Sequence, residues 1–391
     1  MKHAVVIIPT YNERGNIEKT INAVLTVFKE IKNWKMSVLV VDDTSPDKTY
    51  ELVEEIGKKH KQVQLYINKK KSGLGGAYLK GMEYAFSKLD ADVVFEFDAD
   101  LSHDPTKIPL FLESIDKGSE MVLGSRYVPG GSIPEDWGLH RKFLSMAGNL
   151  VIMTVLTDFR IRDWTSGYRA ITKKVYEAVA PLVQSDQFSG YTFQIGFLYH
   201  AVRKGFKIDP NIPYHFVDRT IGQSKMGPEY LIKPLLFIFK MRIREIIQHK
   251  VFKFAFTGGI GALIQLVSLQ IWWALFGFAE PQYELSNFLS IETAIFSNFL
   301  INNFWTFSDT KIEMSDAPKK FIQFNLASAG SIIIQMLIAF LGKKFIGLFT
   351  LFTLPIVHFA VNTGTVFAVI GILVGMVWNF FAYTRFIWKT K

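Results

Sequence analysis

The stretch VVFEFDADLSHDP, residues 93–105, decides the fold and locates the chemistry. It opens with five mostly apolar residues, enough for one buried strand, and closes with Asp104 and Pro105, a pair that commonly begins a helix. Asp98 and Asp100 lie between the two, where the strand ends. Two carboxylates one residue apart at a strand end can turn toward one divalent cation, and such hard oxygen ligands suit Mg²⁺ or Mn²⁺.

Outward from this stretch, short apolar runs alternate with segments of helical period. The runs that predict strands are residues 4–9, 37–41, 63–67, 93–97 and 121–123. The segments that predict helices are residues 15–31, 47–60, 76–87 and 104–117. This alternation is typical of an α/β fold in which helices cover both faces of a mostly parallel sheet.

Polar residues follow three of these strands. Residues 10–13 (Thr-Tyr-Asn-Glu) follow the first strand, Asp42 and Asp43 the second, and residues 98–100 the fourth. Ligands of such sheets bind at the carboxyl ends of the strands, so the sequence predicts one site built from all three ends. A carboxylate there can bond a nucleobase or ribose, and Tyr11 can stack on a flat ring. The alternative is that these polar residues only begin helices.

A glycine-rich turn, GLGGA at residues 73–77, opens a helix after the third strand. Such a turn lets backbone N–H groups approach a phosphate, although a tight turn without a ligand explains it equally well. Its spacing matches neither the dinucleotide fingerprint nor the P-loop, which argues against a nicotinamide enzyme or an ATPase.

Composition excludes several classes of function. The chain has no cysteine, so disulfides, thiolate catalysis and zinc–thiolate sites are ruled out. The net charge is +9, and basic residues cluster at residues 240–253, just ahead of the first long apolar segment. That position fits a membrane surface better than a nucleic-acid groove, so no nucleic-acid partner is expected. Residues 1–9 run directly into a strand without a signal peptide, which predicts a cytoplasmic N-terminal domain.

The second half of the chain predicts an all-α transmembrane domain of four spans, since about 20 apolar residues cross a bilayer. The expected spans are residues 254–276, 285–307, 321–345 and 360–388. An internal repeat pairs residues 254–265 with 324–335 and residues 298–307 with 379–388, which predicts two related helical hairpins. An even number of spans returns the C-terminus to the cytoplasmic side.

The expected domains are residues 1–227, a linker at 228–252 and the transmembrane domain at 253–391. The linker combines apolar residues at helical spacing with a basic face, the pattern of a helix lying in the membrane interface. An ordinary amphipathic core helix is the alternative.

Several motifs of the first half resemble the inverting family-two glycosyltransferases of GT-A (Rossmann-like) fold. They are VVIIPTYNE (5–13), VVDD (40–43), DADLSH (98–103) and GSRY (124–127). Within that family, the motifs SGYRA (166–170), GYTFQ (190–194), FVDR (216–219) and GQSK (222–225) resemble the dolichol-phosphate (polyprenol-phosphate) mannose synthases. The membrane half more loosely resembles the GtrA-like four-helix domain often fused to them.

The resemblance implies a multi-pass membrane enzyme with its catalytic domain on the cytoplasmic side. Its donor would be GDP-mannose, its acceptor a polyprenyl (dolichyl) phosphate, and its product a β-linked mannosyl phosphate. The alternative donor is UDP-glucose or another UDP-sugar, which close cousins with the same acidic run use. A processive polysaccharide synthase is disfavoured, because the chain has no Gln-x-x-Arg-Trp run.

The resemblance also assigns residues. The donor would be bound by Pro9, Tyr11, Glu13, Asp42, Asp98, Ala99, Asp100, Arg126, Arg219 and Lys225. The metal, Mg²⁺ or Mn²⁺, would be held by Asp98, Asp100 and Ser102, and Ser102 occupies a position that is Gln in some archaeal relatives. The acceptor phosphate would contact Arg126, Arg141 and Ser145. The catalytic residues would be Asp98, Asp100, Arg126, Arg219 and Lys225.

The chemistry of the acceptor supports cations rather than a base. A lipid phosphate is already anionic at neutral pH, so it needs positioning and charge neutralisation, which Arg and Lys supply. His103, His140 and His215 are therefore expected to be structural. Whether the membrane half only anchors the enzyme or also translocates lipid stays open.

Overall fold

A computed structural model describes residues 1–69, 71–184, 191–218, 229–276, 282–347, 349–354 and 359–388. The chain divides into two compact units, Met1–Arg242 and Ile243–Lys391.

The first unit is built on a sheet that has seven strands within the described residues, in the order β3-β2-β1-β4-β6-β5-β7. The strands are β1 (Lys2–Thr10), β2 (Trp34–Asp42), β3 (Val63–Ile67), β4 (Val93–Glu96), β5 (Met121–Ser125), β6 (Arg169–Thr172) and β7 (Ile208–Pro213). All pairs are parallel except those of β6, which runs antiparallel to β4 and β5. The five predicted strands and the mostly parallel sheet are confirmed; β6 and β7 are additional.

Helices cover both faces of this sheet. They are α1 (Ile17–Phe28), α2 (Thr49–Lys59), α3 (Gly73–Lys88), α4 (Ile108–Asp116), α5 (Leu139–Leu156), α6 (Lys173–Val179) and α7 (Tyr191–Arg203). Alternate residues of β1 enter two separate cores: Val6 and Ile8 pack with α1 and α4, whereas Val5 and Ile7 pack with α3 and α7. The carboxyl ends of β1, β2 and β4 are thereby fixed between two apolar layers.

The predicted interfacial helix is α8 (Glu229–Gln248), with Pro234 inside it. Ile238 is buried in the core that α3 and α7 share, and Arg242 donates to Thr157 Oγ1 at 3.3 Å. Leu236 is 64% exposed. The helix therefore packs on the first unit by one side and still presents apolar residues on another.

The second unit is mainly helical, with α9 (Lys250–Phe276), α10 (Gln282–Ile301), α11 (Ala317–Phe345) and α12 (Thr363–Ala382). By length and composition, three helical segments of the described residues could cross a membrane: Lys250–Phe276, Ala317–Phe345 and Val369–Ile387. The expected span at 285–307 falls on α10, which contains Glu284 and Glu292 and is not among them. Three of the four expected spans are thus supported, and the second stays a prediction.

The expectation of an all-α membrane half was wrong in one detail. Strands β8 (Thr350–Leu354) and β9 (Phe359–Asn362) pair antiparallel between α11 and α12. The Val, Thr and Phe residues of this short connection favour extended backbone, whereas Pro355 in its middle predicts a loop.

The internal repeat is visible in the packing. Phe254 of α9 meets Phe380 of α12 at 5.5 Å between ring centroids, and the equivalent pair, Phe324 and Phe299, meets at 5.6 Å. Both hairpins end in one π-helical turn, Asn302–Thr306 and Tyr383–Ile387. Equivalent positions make equivalent contacts, as the predicted pair of related hairpins requires.

Candidate active site at the carboxyl edge of the sheet

The acidic run lies directly beyond β4, where the chain leaves the sheet. Asp98 Oδ1 accepts a hydrogen bond from the Tyr78 hydroxyl at 3.1 Å, and Asp100 Oδ1 accepts one from the Ser102 N–H at 3.1 Å. Leu101, between Asp100 and Ser102, adopts the left-handed region, with φ of 60°. The helical turn that follows is capped by Asp104, whose Oδ1 accepts from the Thr106 N–H. Because Asp104 is that cap, capping does not account for Asp98 and Asp100.

His103 contacts this run and holds its backbone by a hydrogen bond. Its Nδ1 accepts the Asp98 N–H at 3.1 Å, which leaves the proton on Nε2, 3.6 Å from Asp98 Oδ2. The ring is buried and stacks on Tyr168 at 4.9 Å between centroids. Burial lowers the pKa of His103, so the ring is neutral at pH 7. This geometry is that of a structural histidine, as the sequence predicted.

The residues of the run fit a divalent cation. The Ser102 hydroxyl oxygen is buried and, among the described residues, has no hydrogen-bond partner. A buried orphan oxygen beside two half-buried carboxylates requires an explanation, and a bound cation supplies one. The described residues contain no group of three or more His, Cys, Asp or Glu that could hold a metal. A cation here would therefore complete its shell with water or ligand phosphate oxygens, as Mg²⁺ commonly does.

The ends of β1 and β2 are bound to each other. Asp42 is buried, and its carboxylate accepts from the hydroxyls of Thr10 at 2.7 Å and Ser45 at 2.6 Å. Tyr11 is half-buried with the Lys71 ammonium 3.3 Å from its ring centroid, and Glu13 accepts from the Asn16 amide at 2.9 Å. Asp42 thus ties two strand ends together, and Tyr11 carries a cation at its ring face.

Pro9 and Ala99 contribute backbone and shape. Pro9 is half-buried at the end of β1. Ala99 is buried, and its carbonyl accepts from the Thr20 hydroxyl of α1 at 2.7 Å. This bond fixes the middle of the acidic run against the first helix.

Arg126 follows β5 and forms a buried ion pair with Asp163. Its Nε and Nη2 donate to the two carboxylate oxygens at 2.8 and 2.7 Å, and Nη2 also donates to Thr165 Oγ1 at 2.8 Å. Burial acts to lower the pKa of Arg126, but Asp163 outweighs it and holds that pKa well above its usual value. The guanidinium is permanently charged and its orientation is fixed.

Arg141, on the first turn of α5, is held by a second carboxylate. Its Nη1 donates to Asp218 Oδ2 at 2.6 Å, and the guanidinium lies 3.8 Å from the ring centroid of Trp137. The Trp137 indole N–H donates to the same Asp218 oxygen at 2.9 Å. Asp218 and Trp137 therefore fix the position of Arg141.

Two further residues connect this cationic region to the acidic run. Ser145 is hydrogen bonded to the hydroxyl of Tyr127, the residue after Arg126. The buried Tyr214 donates its backbone N–H to the carbonyl of Ser125, the residue before Arg126, at 3.3 Å, and its ring packs edge-on against His103 of the acidic run at 5.9 Å between centroids. The structure thus brings Asp98, Arg126 and Ser145 to one side of the sheet. Arg219 and Lys225 lie outside the described residues.

A buried charge pair lies one step deeper. Glu96 of β4 and Arg169 of β6 are register partners, both fully buried, with 3.9 Å between Arg169 Nε and a Glu96 oxygen. Burial raises the pKa of Glu96 to about 7. Arg169 also donates to the backbone carbonyls of Ser166 and Gln194 at 2.8 and 2.7 Å. This pair links the strand carrying the acidic run to two of the quoted motifs.

Sequence reasoning missed the acidic partners of the two arginines and the Tyr78 hydroxyl. Asp163 is 37 residues from Arg126, and Asp218 is 77 residues from Arg141. Nothing in the spacing relates them. The one available signal was Asp218 itself, which stands within the FVDR motif at residues 216–219.

Comparison with protein families gives two matches. Residues 5–179 match the family "Glycosyl transferase family 2", and residues 253–388 match "GtrA/DPMS, transmembrane domain". The first match contains the acidic run and both β1 and β2 ends.

One relative extends over both regions, and another aligns over a shorter part of the chain. The chain is 30% identical over 335 residues to the "Dolichol-phosphate mannosyltransferase" of Pyrococcus furiosus, covering 85% of this chain and 88% of that protein. It is 34% identical over 244 residues to the "Polyprenol monophosphomannose synthase" of Mycolicibacterium smegmatis, covering 62% and 88%. Among solved structures, glucosyl-3-phosphoglycerate synthase of Mycobacterium tuberculosis, crystallised with Mn²⁺ and UDP, aligns at 17% identity with a TM-score of 0.41, covering 63% and 79%. That structural likeness is too low to bear on the site.

Proposed function

Because this chain belongs to glycosyltransferase family 2 and carries a GtrA/DPMS transmembrane domain, we propose that it transfers mannose from GDP-mannose to a polyprenyl phosphate with inversion. The relatives named for lipid-linked mannose transfer support the sugar and the acceptor. The observation that carries the proposal is the position of the acidic run. Its two carboxylates lie on the same side of the sheet as the fixed guanidinium of Arg126 and the hydroxyl of Ser145.

The reaction needs one displacement. An oxygen of the lipid phosphate attacks the anomeric carbon, a new C–O bond forms, and the C–O bond to the diphosphate breaks so that GDP leaves. The phosphate monoester is already anionic at pH 7, so no base has to remove a proton. Attack from the face opposite the leaving group inverts the anomeric centre.

On the donor side, Asp98, Asp100 and the orphan hydroxyl of Ser102 would hold Mg²⁺ or Mn²⁺. When bound, the cation neutralises the charge that develops on the departing diphosphate. Tyr11, directly after β1, would contact the nucleoside, together with Pro9, Glu13 and Asp42. Arg219 and Lys225 complete the proposed donor set from the resemblance alone.

On the acceptor side, the guanidinium of Arg126 and that of Arg141 are oriented by carboxylates before any ligand arrives. A preoriented guanidinium loses little entropy when it binds a phosphate. Arg141 lies in the first turn of α5, whose Leu139 and Phe143 are 84% and 70% exposed. The proposed phosphate site therefore lies beside exposed apolar residues suited to a membrane surface. We propose that this surface belongs to the cytoplasmic leaflet, so that the catalytic domain faces the cytoplasm.

The test is an assay of the full chain in detergent with GDP-mannose, a divalent cation and a polyprenyl phosphate. Mass spectrometry of the extracted lipid should find the acceptor increased by one hexose, and NMR should assign a β-mannosyl phosphate. The matched control replaces the acceptor by the corresponding free polyprenol, which lacks the anionic nucleophile and should give no product. A hexose on the free alcohol, or an α-linkage, would contradict the proposal.

A further inference from the structure

A buried amide on α5 lies among the residues proposed to bind the acceptor phosphate. Asn149 follows Arg141 by about two helical turns and Ser145 by about one, and it is 3% exposed. It stands outside the motifs that carry the family resemblance. Its hydrogen bonds therefore have to be read from the structure.

The side chain of Asn149 joins α5 to the segment 163–165. Its Oδ1 accepts the backbone N–H of Trp164 at 2.8 Å. Its Nδ2 donates to the carbonyl of Ser145 at 3.1 Å and to Thr165 Oγ1 at 3.4 Å. The amide oxygen and both amide hydrogens are thus engaged, so the side chain has one orientation.

The same segment orients Arg126. Asp163 accepts from Nε and Nη2 of Arg126, and Thr165 Oγ1 accepts from Nη2. Asn149 holds the backbone of Trp164, the residue between these two anchors. The position of the Arg126 guanidinium relative to α5 is therefore set in part by the amide of Asn149.

Strand β6 holds the segment from another direction. The fully buried guanidinium of Arg169 donates to the backbone carbonyls of Trp164 at 3.3 Å and Ser166 at 2.8 Å. Arg169 links the segment to the sheet, whereas Asn149 links it to the helix. Loss of the Asn149 amide should therefore free the segment from α5 and leave it attached to the sheet.

We propose that Asn149 is a positioning residue for the acceptor phosphate. It sets the distance between the guanidinium of Arg126 and the α5 residues Arg141 and Ser145, so that all three contact one phosphate group. A guanidinium binds phosphate through paired N–H donors in a defined geometry, and a misplacement of about 1 Å can cost about 100-fold in rate. The inference rests on the proposed function, because it assumes that these three side chains bind the acceptor.

The test is the steady-state kinetics of the full chain in detergent carrying Asn149→Ala. The KM for polyprenyl phosphate should rise about tenfold, because the charge-assisted contacts to the phosphate are misaligned, and the KM for GDP-mannose should not change. The matched control is Ser114→Ala in α4, which removes a buried hydroxyl bonded to Ser119 and Asp209 at 3.0 and 2.6 Å. It should lower the thermal unfolding midpoint and leave both KM values unchanged.

A double-mutant cycle separates positioning from a general loss of structure. Arg126→Lys keeps the charge and removes the planar fork. In that background Asn149→Ala should change the acceptor KM by less than about twofold, because no oriented guanidinium remains to be displaced. Equal effects of Asn149→Ala in the two backgrounds would overturn the proposal, and so would an equal rise in the donor KM.

Failure of the proposed function has a different signature from failure of this inference. A parent chain that makes no mannosyl lipid would overturn both. An active parent with an unaltered acceptor KM in Asn149→Ala would overturn only the role of Asn149. If the alanine variant does not unfold cooperatively, Asn149→Ser, which leaves a small polar side chain at the same place, repeats the measurements with the same expected signs.

Discussion

Asp98 and Asp100 are held in different ways, which assigns them different parts in metal binding. Asp98 is fixed by groups from outside its own turn, the Tyr78 hydroxyl of α3 and the buried ring of His103. Asp100 bonds within its turn, to the Ser102 N–H. Asp98 is therefore part of a rigid frame, and the turn around Leu101 sets the direction of Asp100.

The first prediction concerns Asp100→Asn, which keeps the shape of the side chain and removes its charge. We expect the rate of mannosyl transfer to fall about 100-fold. The neutral amide holds the metal ion more weakly, so the ion stabilises the departing diphosphate less. The measurement is the rate as a function of Mn²⁺ concentration. Asp104→Asn is the control, since Asp104 carries the same charge but serves as a helix cap. Undiminished, metal-dependent turnover in the Asp100 variant would refute the metal assignment.

The second prediction concerns the acceptor. Arg141→Gln should raise the KM for polyprenyl phosphate about tenfold and leave the KM for the nucleotide sugar unchanged, because one charge-assisted contact to the lipid phosphate is lost. Lys142→Gln is the neighbouring control, since the Lys142 ammonium donates to the Glu135 carbonyl. A rise in the donor KM instead would place Arg141 on the nucleotide side.

At this scale the sequence predicted the residues that lie in continuous motifs and missed those that pair at a distance. The acidic run and Arg126 were found because strand ends and known motifs mark them. Asp163 and Asp218 were missed because an ion pair between residues far apart leaves no periodic signal. Asp42 shows a different limit: its position was predicted, but its bonds to Thr10 and Ser45 depend on strand register.

Among the elements, the contact of α3 with α7 positions Tyr78 beneath the acidic run. Gly75 in the first turn of α3 lies so close to α7 that a Cβ there would be 2.7 Å from Phe193 Cγ. Tyr78, one turn later, stacks on the same Phe193 ring at 6.4 Å between centroids. Gly75 of the glycine-rich segment at residues 73–77 therefore serves helix packing in this structure.

The third prediction follows from that contact. Gly75→Ala should lower the stability of the protein by about 1 to 3 kcal/mol, because the added methyl overpacks the core against Phe193. Gly148→Ala in α5, where a Cβ meets nothing within 4 Å, should raise stability by about 0.5 to 1 kcal/mol through better helix propensity. Thermal unfolding of both variants tests the opposite signs. Two shifts of the same sign would contradict the packing described here.

Strands β6 and β7 were not predicted from the sequence, and one physical reason explains both omissions. Strand β6 has four residues, one of which is the buried Arg169, so it lacks an apolar run. Strand β7 contains Asp209 and Asn211 and lies at the edge of the sheet. Neighbouring strands specify both through hydrogen bonds that a single-sequence pattern does not contain.

On the scale of the whole molecule, an α/β unit and a helical unit of repeated hairpins share one chain. The repeat of the second unit was readable because its aromatic residues recur at equivalent positions, as the pairs Phe254–Phe380 and Phe324–Phe299 show. The short β-hairpin and the absence of α10 from the candidate spans could not be read from this repeat. Whether this unit acts beyond anchoring is open to a direct test.

The fourth prediction addresses that division of labour. A fragment ending at His249, after α8, should keep mannosyl transfer to a short-chain polyprenyl phosphate in detergent, because the site residues described above all precede it. The same fragment should lose activity toward a long-chain acceptor in vesicles. Rates for fragment and full chain in both systems make the comparison. Loss of the detergent activity in a fragment that still unfolds cooperatively would show that the membrane unit contributes to the chemistry.

The most direct test of the central claim is competition between donors labelled with different isotopes. The full chain receives equal concentrations of GDP-[³H]mannose and UDP-[¹⁴C]glucose with a polyprenyl phosphate and Mn²⁺, and both labels are counted in the extracted lipid. A site that hydrogen-bonds the correct base and sugar leaves polar groups without partners when the wrong donor binds. Tritium in the extracted lipid should therefore exceed carbon-14 by about 100-fold or more. Carbon-14 in excess, or neither label in the lipid, would contradict the account.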